Sequence, residues 1–232
     1  GGVTGTIKYL DNHPNQLYIP QIGGIVGLSS ASNLTDIKHN TNYAPIEFNA
    51  NAAGDGAIGY SSTCIGGIFG YSKGAVENND NHGKISVLGG NIKAFYLGGV
   101  GGVAKTSSFK NNHNHNSDGI LVDSDVKFFS LNVAGVIGGV NGGGGSIDGC
   151  TNNAPIVSKA STATDITVGT WYYRVSGVVT YTNVSISNCE NKANGDITVS
   201  GNVIVARDSD QPGVAVSGVS AYHTTSGTIV NL

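Results

Sequence analysis

The sequence contains no methionine, one tryptophan, three cysteines and five prolines, and only 12% of its 232 residues are charged. Each shortage narrows the field. With 12 basic and 15 acidic residues the net charge is −3, so the composition carries neither a nucleic-acid footprint nor a polybasic membrane anchor. The apolar runs are short and broken by glycine, so no stretch suits a membrane-crossing helix, and direct membrane insertion is not expected. No charged segment leads into an apolar one at the start of the chain, and the missing methionine makes Gly1 read as a processed end or the start of an excised fragment. The cysteines form no C-x-x-C pair, which removes the usual structural zinc framework.

What is abundant is glycine, at 36 residues, set among Val, Ile, Thr and Tyr with little helical periodicity. That pattern predicts β-structure with Gly and Asn turns. One phrase recurs: "QIGGIVGL", "CIGGIFGY", "YLGGVGGV", "NVAGVIGG", "RVSGVVTY" and "AVSGVSAY". Its first apolar residue anchors six units at Ile22, Ile65, Leu97, Val133, Val175 and Val216, spaced by 32 to 43 residues. Variable spacing around a constant phrase indicates loops of different length on one structural unit.

Each unit has two further parts. An apolar residue is followed three positions on by Cys or Asn and two later by Asn, as in Ile147–Cys150–Asn152, Ile186–Cys189–Asn191, Val76–Asn79–Asn81 and Phe109–Asn112–Asn114. The first unit reads as a degenerate copy through Leu34, Ile37 and His39. An alternating strand then follows at "IEF" (46), "ISV" (85), "ILV" (120) and "ITV" (197), with "IVS" (156) as a weaker copy. The expectation is an all-β solenoid of about six three-stranded units forming a single repeat array over 1–232, with an antiparallel β-sandwich built from three-stranded units as the alternative.

In the solenoid the repeated glycines Gly24, Gly67, Gly99, Gly135, Gly177 and Gly218 allow close backbone approach. Asn81, Asn114, Asn152 and Asn191 form a side-chain ladder at a turn, where Asn also tolerates left-handed backbone. Cys150 and Cys189 stack as buried free thiols, at a separation that also admits a disulfide.

The "GGIVG" and "GGIFG" phrases, followed by "CTN" at Cys150 and "CEN" at Cys189, resemble the GLUG-motif repeats of bacterial cell-surface and adhesin proteins. The resemblance covers most of residues 22–232, although "GVVT" and "GVSA" in the last two units lack the second glycine. It implies an extracellular or cell-surface location and a structural or adhesive role, and it brings no catalytic residue.

The ends of the sequence suggest a partner. "TIKY" near the start reads as the third strand of a unit, and Ile229 and Leu232 match Ile147 and Cys150, so one copy would complete the next. Head-to-tail self-association into a filament through Ile7, Tyr9, Ile229 and Leu232 is one expectation, and an excised stalk segment of a larger surface adhesin is the other.

Few residues stand outside the repeat. His113 and His115 are two apart and are weak metal candidates, since a third ligand would have to come from another unit. Asp118, Asp123, Asp125, Asp208 and Asp210 form no calcium loop. Trp171 and Tyr173 of "TWYYRV" would share one strand face able to stack on a sugar, which makes host or matrix glycans a candidate partner. Asn33 and Asn183 lie in glycosylation sequons.

A carbohydrate-active enzyme on a β-helix would need converging carboxylates such as Asp123 and Asp125. An ice binder would repeat Thr, which "TATDITVGT" does in one unit only. The expectation is therefore a protein without catalytic activity or cofactor.

Overall fold

The computed structural model describes residues 3–6, 21–29, 36–49, 62–106, 108–142, 145–162, 172–203, 213–223 and 229–230. They form an all-β, parallel β-solenoid. One turn shows the path. Ser62–Gly66 belongs to sheet 1, Phe69–Ser72 to sheet 2, Val76–Glu77 to sheet 3, Asp80–Asn81 to sheet 4 and Ile85–Leu88 to sheet 5. Equivalent strands of successive turns pair directly and in parallel, which disfavours the antiparallel sandwich.

Five strands per turn replace the three expected from sequence. The extra segments are the four-residue strand after the glycine bend, whose alternation is interrupted by glycine, and a two-residue strand carrying Asn, too short to show periodicity. The anchors align one above another, Ile22 with Ile65, Leu97, Val133, Val175 and Val216. So do Ile46, Ile85, Ile120, Ile156 and Ile197 in sheet 5, where "IVS" keeps full register.

Two dry cores run along the solenoid. The first, between sheets 1 and 5, contains Ile46, Ile65, Ile85, Phe95, Leu97, Phe128, Val133 and Tyr173. The second, between sheets 2 and 3, contains Phe69, Val76, Phe109, Ile137, Ile147, Cys150, Val179 and Cys189. Sheets 1 and 2 meet back to back between them. A Cβ at Gly102 would lie 2.7 Å from Ile65 N and 2.8 Å from Cys64 Cβ, and one at Gly138 2.9 Å from Leu97 N. The second glycine of the phrase is therefore a spacer between sheets. In the first of the two turns that lack it, Thr180 fills the place and its hydroxyl donates to the Gly138 carbonyl.

Three local expectations change. The first turn is regular once it is phased from Ile37 rather than Leu34, since Ile37 pairs with Val76 and Asn42 pairs with Asn81. The strand that caps sheet 5 is Val3–Thr6, with Val3 opposite Ile46, so the phase assigned to "TIKY" is displaced. Ile7, Tyr9, Leu34 and Leu232 lie outside the described residues, as do Asn33, Trp171, Asp208 and Asp210. Left-handed backbone recurs at the corner between sheets 3 and 4, in His39, Asn78, Asn111, Gly149 and Asn188 with φ between 50° and 63°, and is found elsewhere among the described residues only at glycines. The ladder asparagines are not among them.

Candidate functional site: Asn rows and a tyrosine-lined cleft

The Asn row is continuous. Nδ2 of Asn42 donates to Oδ1 of Asn81 at 2.9 Å, Asn81 to Asn114 at 3.1 Å, Asn114 to Asn152 at 3.1 Å, and Asn152 to Asn191 at 2.8 Å. The same amides close their own turns, Asn81 Nδ2 reaching Gly83 O at 2.9 Å. Each ladder Asn packs against a bend glycine. A Cβ on Gly24, Gly67, Gly99, Gly135 or Gly177 would fall within 2.8 Å of a side-chain atom of Asn42, Asn81, Asn114, Asn152 or Asn191 respectively. Gly218 has no such neighbour.

A second row runs Asn40, Asn79, Asn112, Cys150, Cys189. Asn40 Nδ2 and Asn79 Nδ2 donate to the next Oδ1 at 3.0 and 2.9 Å. The two cysteines continue it as free thiols facing backbone carbonyls, Cys189 Sγ to Ser187 O at 3.2 Å. Burial, then the neighbouring Cys189, pushes the Cys150 thiol well above its ordinary range.

On the outer face of sheet 4 the rings of Tyr43, His82 and His115 stack, with centroids 4.9 and 5.3 Å apart, and His113 lies 5.7 Å from His115. His115 Nε2 is 3.5 Å from Asp80 Oδ1, and His113 Nδ1 bonds Thr151 Oγ1 at 2.8 Å. The topology brings His82 to His115, beside which His113 lies. Among the described residues, however, no group of three His, Cys, Asp or Glu is arranged to hold a metal ion.

Within "TWYYRV", Tyr173 faces the other way from the sequence expectation. Tyr173 is 1% exposed, lies in the first core against Phe128 and bonds Ser158 Oγ at 2.8 Å. It cannot offer its ring to a sugar. The opposite face carries Tyr172 and Arg174, whose Cζ lies 4.0 Å from the Tyr172 ring and 4.3 Å from that of Tyr222. Tyr222 stacks on Tyr181 at 5.9 Å.

This side of the fold opens a cleft of about 260 Å³ where sheets 1 and 2 diverge from their glycine contact. Sheet 1 contributes Gln21, Cys64 and Tyr96, adjacent in register. Sheet 2 contributes the row Tyr71, Val103, Gly139 and Tyr181, with Lys105 and Asn141 at its rim. Burial raises the Tyr71 and Tyr96 hydroxyls above their ordinary range and pushes the Cys64 thiol up to about 12, so all three remain protonated near neutrality. The sequence held a signal for this site. Tyr71, Tyr181 and Tyr222 each close a copy of the recurring phrase, at the same register in sheet 2.

The fold thus defines a parallel β-solenoid with an aromatic cleft on one flank. Compared with known proteins, the chain matches no family model, no curated protein and no solved structure.

Proposed function

We propose that this chain is a structural or adhesive element of an extracellular or cell-surface protein, a stiff solenoid rod rather than a catalyst. The observation that carries this reading is the Asn row, in which residues 33 to 39 positions apart in sequence repeat one contact from turn to turn. A fold that repeats one cross-section along an axis builds length and a periodic flank, the properties of a spacer or a presenting surface. The resemblance of its glycine phrases to GLUG-motif repeats favours the same setting.

Self-association end to end is part of this proposal. The exposed large apolar residues of the first turn include Ile25 and Leu28 and those of the last turns are Val214, Val216 and Ile229, each 43–55% accessible. Stacking a last turn on a first turn of a second copy would cover them at the phases they already occupy.

Two measurements test the reading. Antibody labelling of intact, unpermeabilised source cells should detect the chain, and labelling that appears only after permeabilisation would refute a surface location. Electron microscopy over a concentration series should show filaments made of stacked turns at about 4.8 Å per turn. Monomers at every concentration would remove self-association and leave the rod as a segment of a larger surface protein.

A further inference from the structure

We infer that the cleft between sheets 1 and 2 is a binding site for an acidic sugar, taking one pyranose ring of the uronate type. The inference stands apart from the rod proposal, because it rests on the lining of the cleft and not on the stacking of the turns.

Shape sets the first limit. At about 260 Å³ the cleft lies just below the range of roughly 300–1,000 Å³ typical of drug-sized ligands, so it holds a single ring. Chemistry sets the second. Tyr71, Tyr96 and Tyr181 line it from both sheets, and each offers an apolar ring with a hydroxyl at its tip. Gln21 and Asn141 add amides that both donate and accept. Aromatic faces bordered by neutral donors and acceptors suit a molecule with apolar ring faces and a rim of hydroxyls, which describes a sugar.

Charge sets the third limit. Among the described lining residues Lys105 is the one charged side chain and no carboxylate is present, although the whole chain is net acidic. Lys105 is exposed at the rim, free to meet a carboxylate on the bound ring. Two turns on from Tyr96 in the same row of sheet 1, Arg174 Cζ lies 5.8 Å from the Tyr181 ring and 4.3 Å from that of Tyr222, which holds the aromatic residues at this end of the cleft.

Gly139 gives the cleft its depth. A Cβ there would lie 3.2 Å from Cδ1 and Cε1 of Tyr96, so any side chain at this position presses on that ring and fills the space. Its neighbour in the same row is Val103, so sheet 2 accepts a valine at this phase.

Isothermal titration of the whole chain with a galacturonate trimer, beside the neutral galactose trimer, tests the inference. Saturable uronate binding should be at least ten-fold tighter than binding of the neutral trimer. Lys105→Gln should remove that preference, Tyr181→Ala should weaken binding ten-fold or more, and Gly139→Val should abolish it. Circular dichroism and melting confirm that each variant is folded; if Gly139→Val does not fold, the rim change Lys105→Gln and the change at half-buried Tyr181, Tyr181→Ala, decide. The inference is overturned by no uronate binding, by equal affinity for the neutral trimer, or by binding that Tyr181→Ala and Lys105→Gln leave unchanged.

Discussion

Gly99 and Asn114 share one space: a Cβ on Gly99 would lie 2.4 Å from Asn114 Cγ and 2.0 Å from the carbonyl oxygen of Gly135 in the next turn. The bend glycine and the ladder asparagine, fifteen residues apart in sequence, are therefore one device. The glycine lets the asparagine side chain reach the axis of its row.

Gly99→Ala should accordingly cost about 3 kcal/mol, since both obstructing neighbours are held by the stack. Gly218→Ala, at the same phase but with open space around it, should change stability by less than about 0.5 kcal/mol. Thermal and urea unfolding of the two variants checks the contrast, and equal losses would show that close approach is not what the glycine provides.

Asn114→Ala should destabilise by roughly 2–4 kcal/mol, because it leaves the Asn81 donor and the Asn152 acceptor buried without their partner. Asn114→Asp retains an acceptor for Asn81 and loses the donor to Asn152, so it should also destabilise at neutral pH. Removing Asn42, which makes a single contact within the row, should cost less than removing Asn114. Denaturant titration of the three variants gives the order.

Asn111→Ala should cost on the order of 1 kcal/mol, since φ of 50° is unfavourable for a residue with an ordinary Cβ. Asn111→Gly should be better tolerated, as Gly149 already holds the equivalent corner with φ of 63°. Comparing the midpoints of the two variants separates backbone conformation from the loss of the exposed contact to Asn78.

Acid should loosen the sheet 4 face. Burial lowers the His113 pKa below 6.5, with Asp80 acting in the opposite direction and His115 and Lys192 reinforcing the shift. The folded state thus takes up this proton less readily than the unfolded chain. Stability is unaffected by this group above the ordinary histidine range and falls as the pH drops below about 6.5. Melting temperatures of the parent chain and His113→Gln between pH 7.5 and 5 should diverge in the parent's disfavour as acid increases.

The solenoid was legible in the sequence because its signals are invariants of stacking. The six anchors, the third-strand isoleucines and the Asn row stand in direct register. What stayed hidden has physical reasons. Two-residue strands such as Asp80–Asn81 carry no periodicity, so five strands read as three. A phase set by Leu34 hides the match of Ile37, Asn40 and Asn42 to Val76, Asn79 and Asn81. Alternation in "TWYYRV" gives the two faces but not which one is dry, and Tyr173 went inward because Phe128 and Ser158 receive it there. The cleft depends on which residues of two different sheets face each other, although two of the tyrosines that line it, Tyr71 and Tyr181, close copies of the repeated phrase.

The Asn row is also vectorial. From Asn42 to Asn152 every Nδ2 donates a hydrogen bond forward to the next Oδ1, so the row presents an acceptor toward one end of the axis and a donor toward the other. Like ends brought together by a two-fold axis would set acceptor against acceptor or donor against donor. Any layer that continues this row, from the same chain or another, has to arrive with the same sense, which makes the rod a one-way track with a built-in direction of travel.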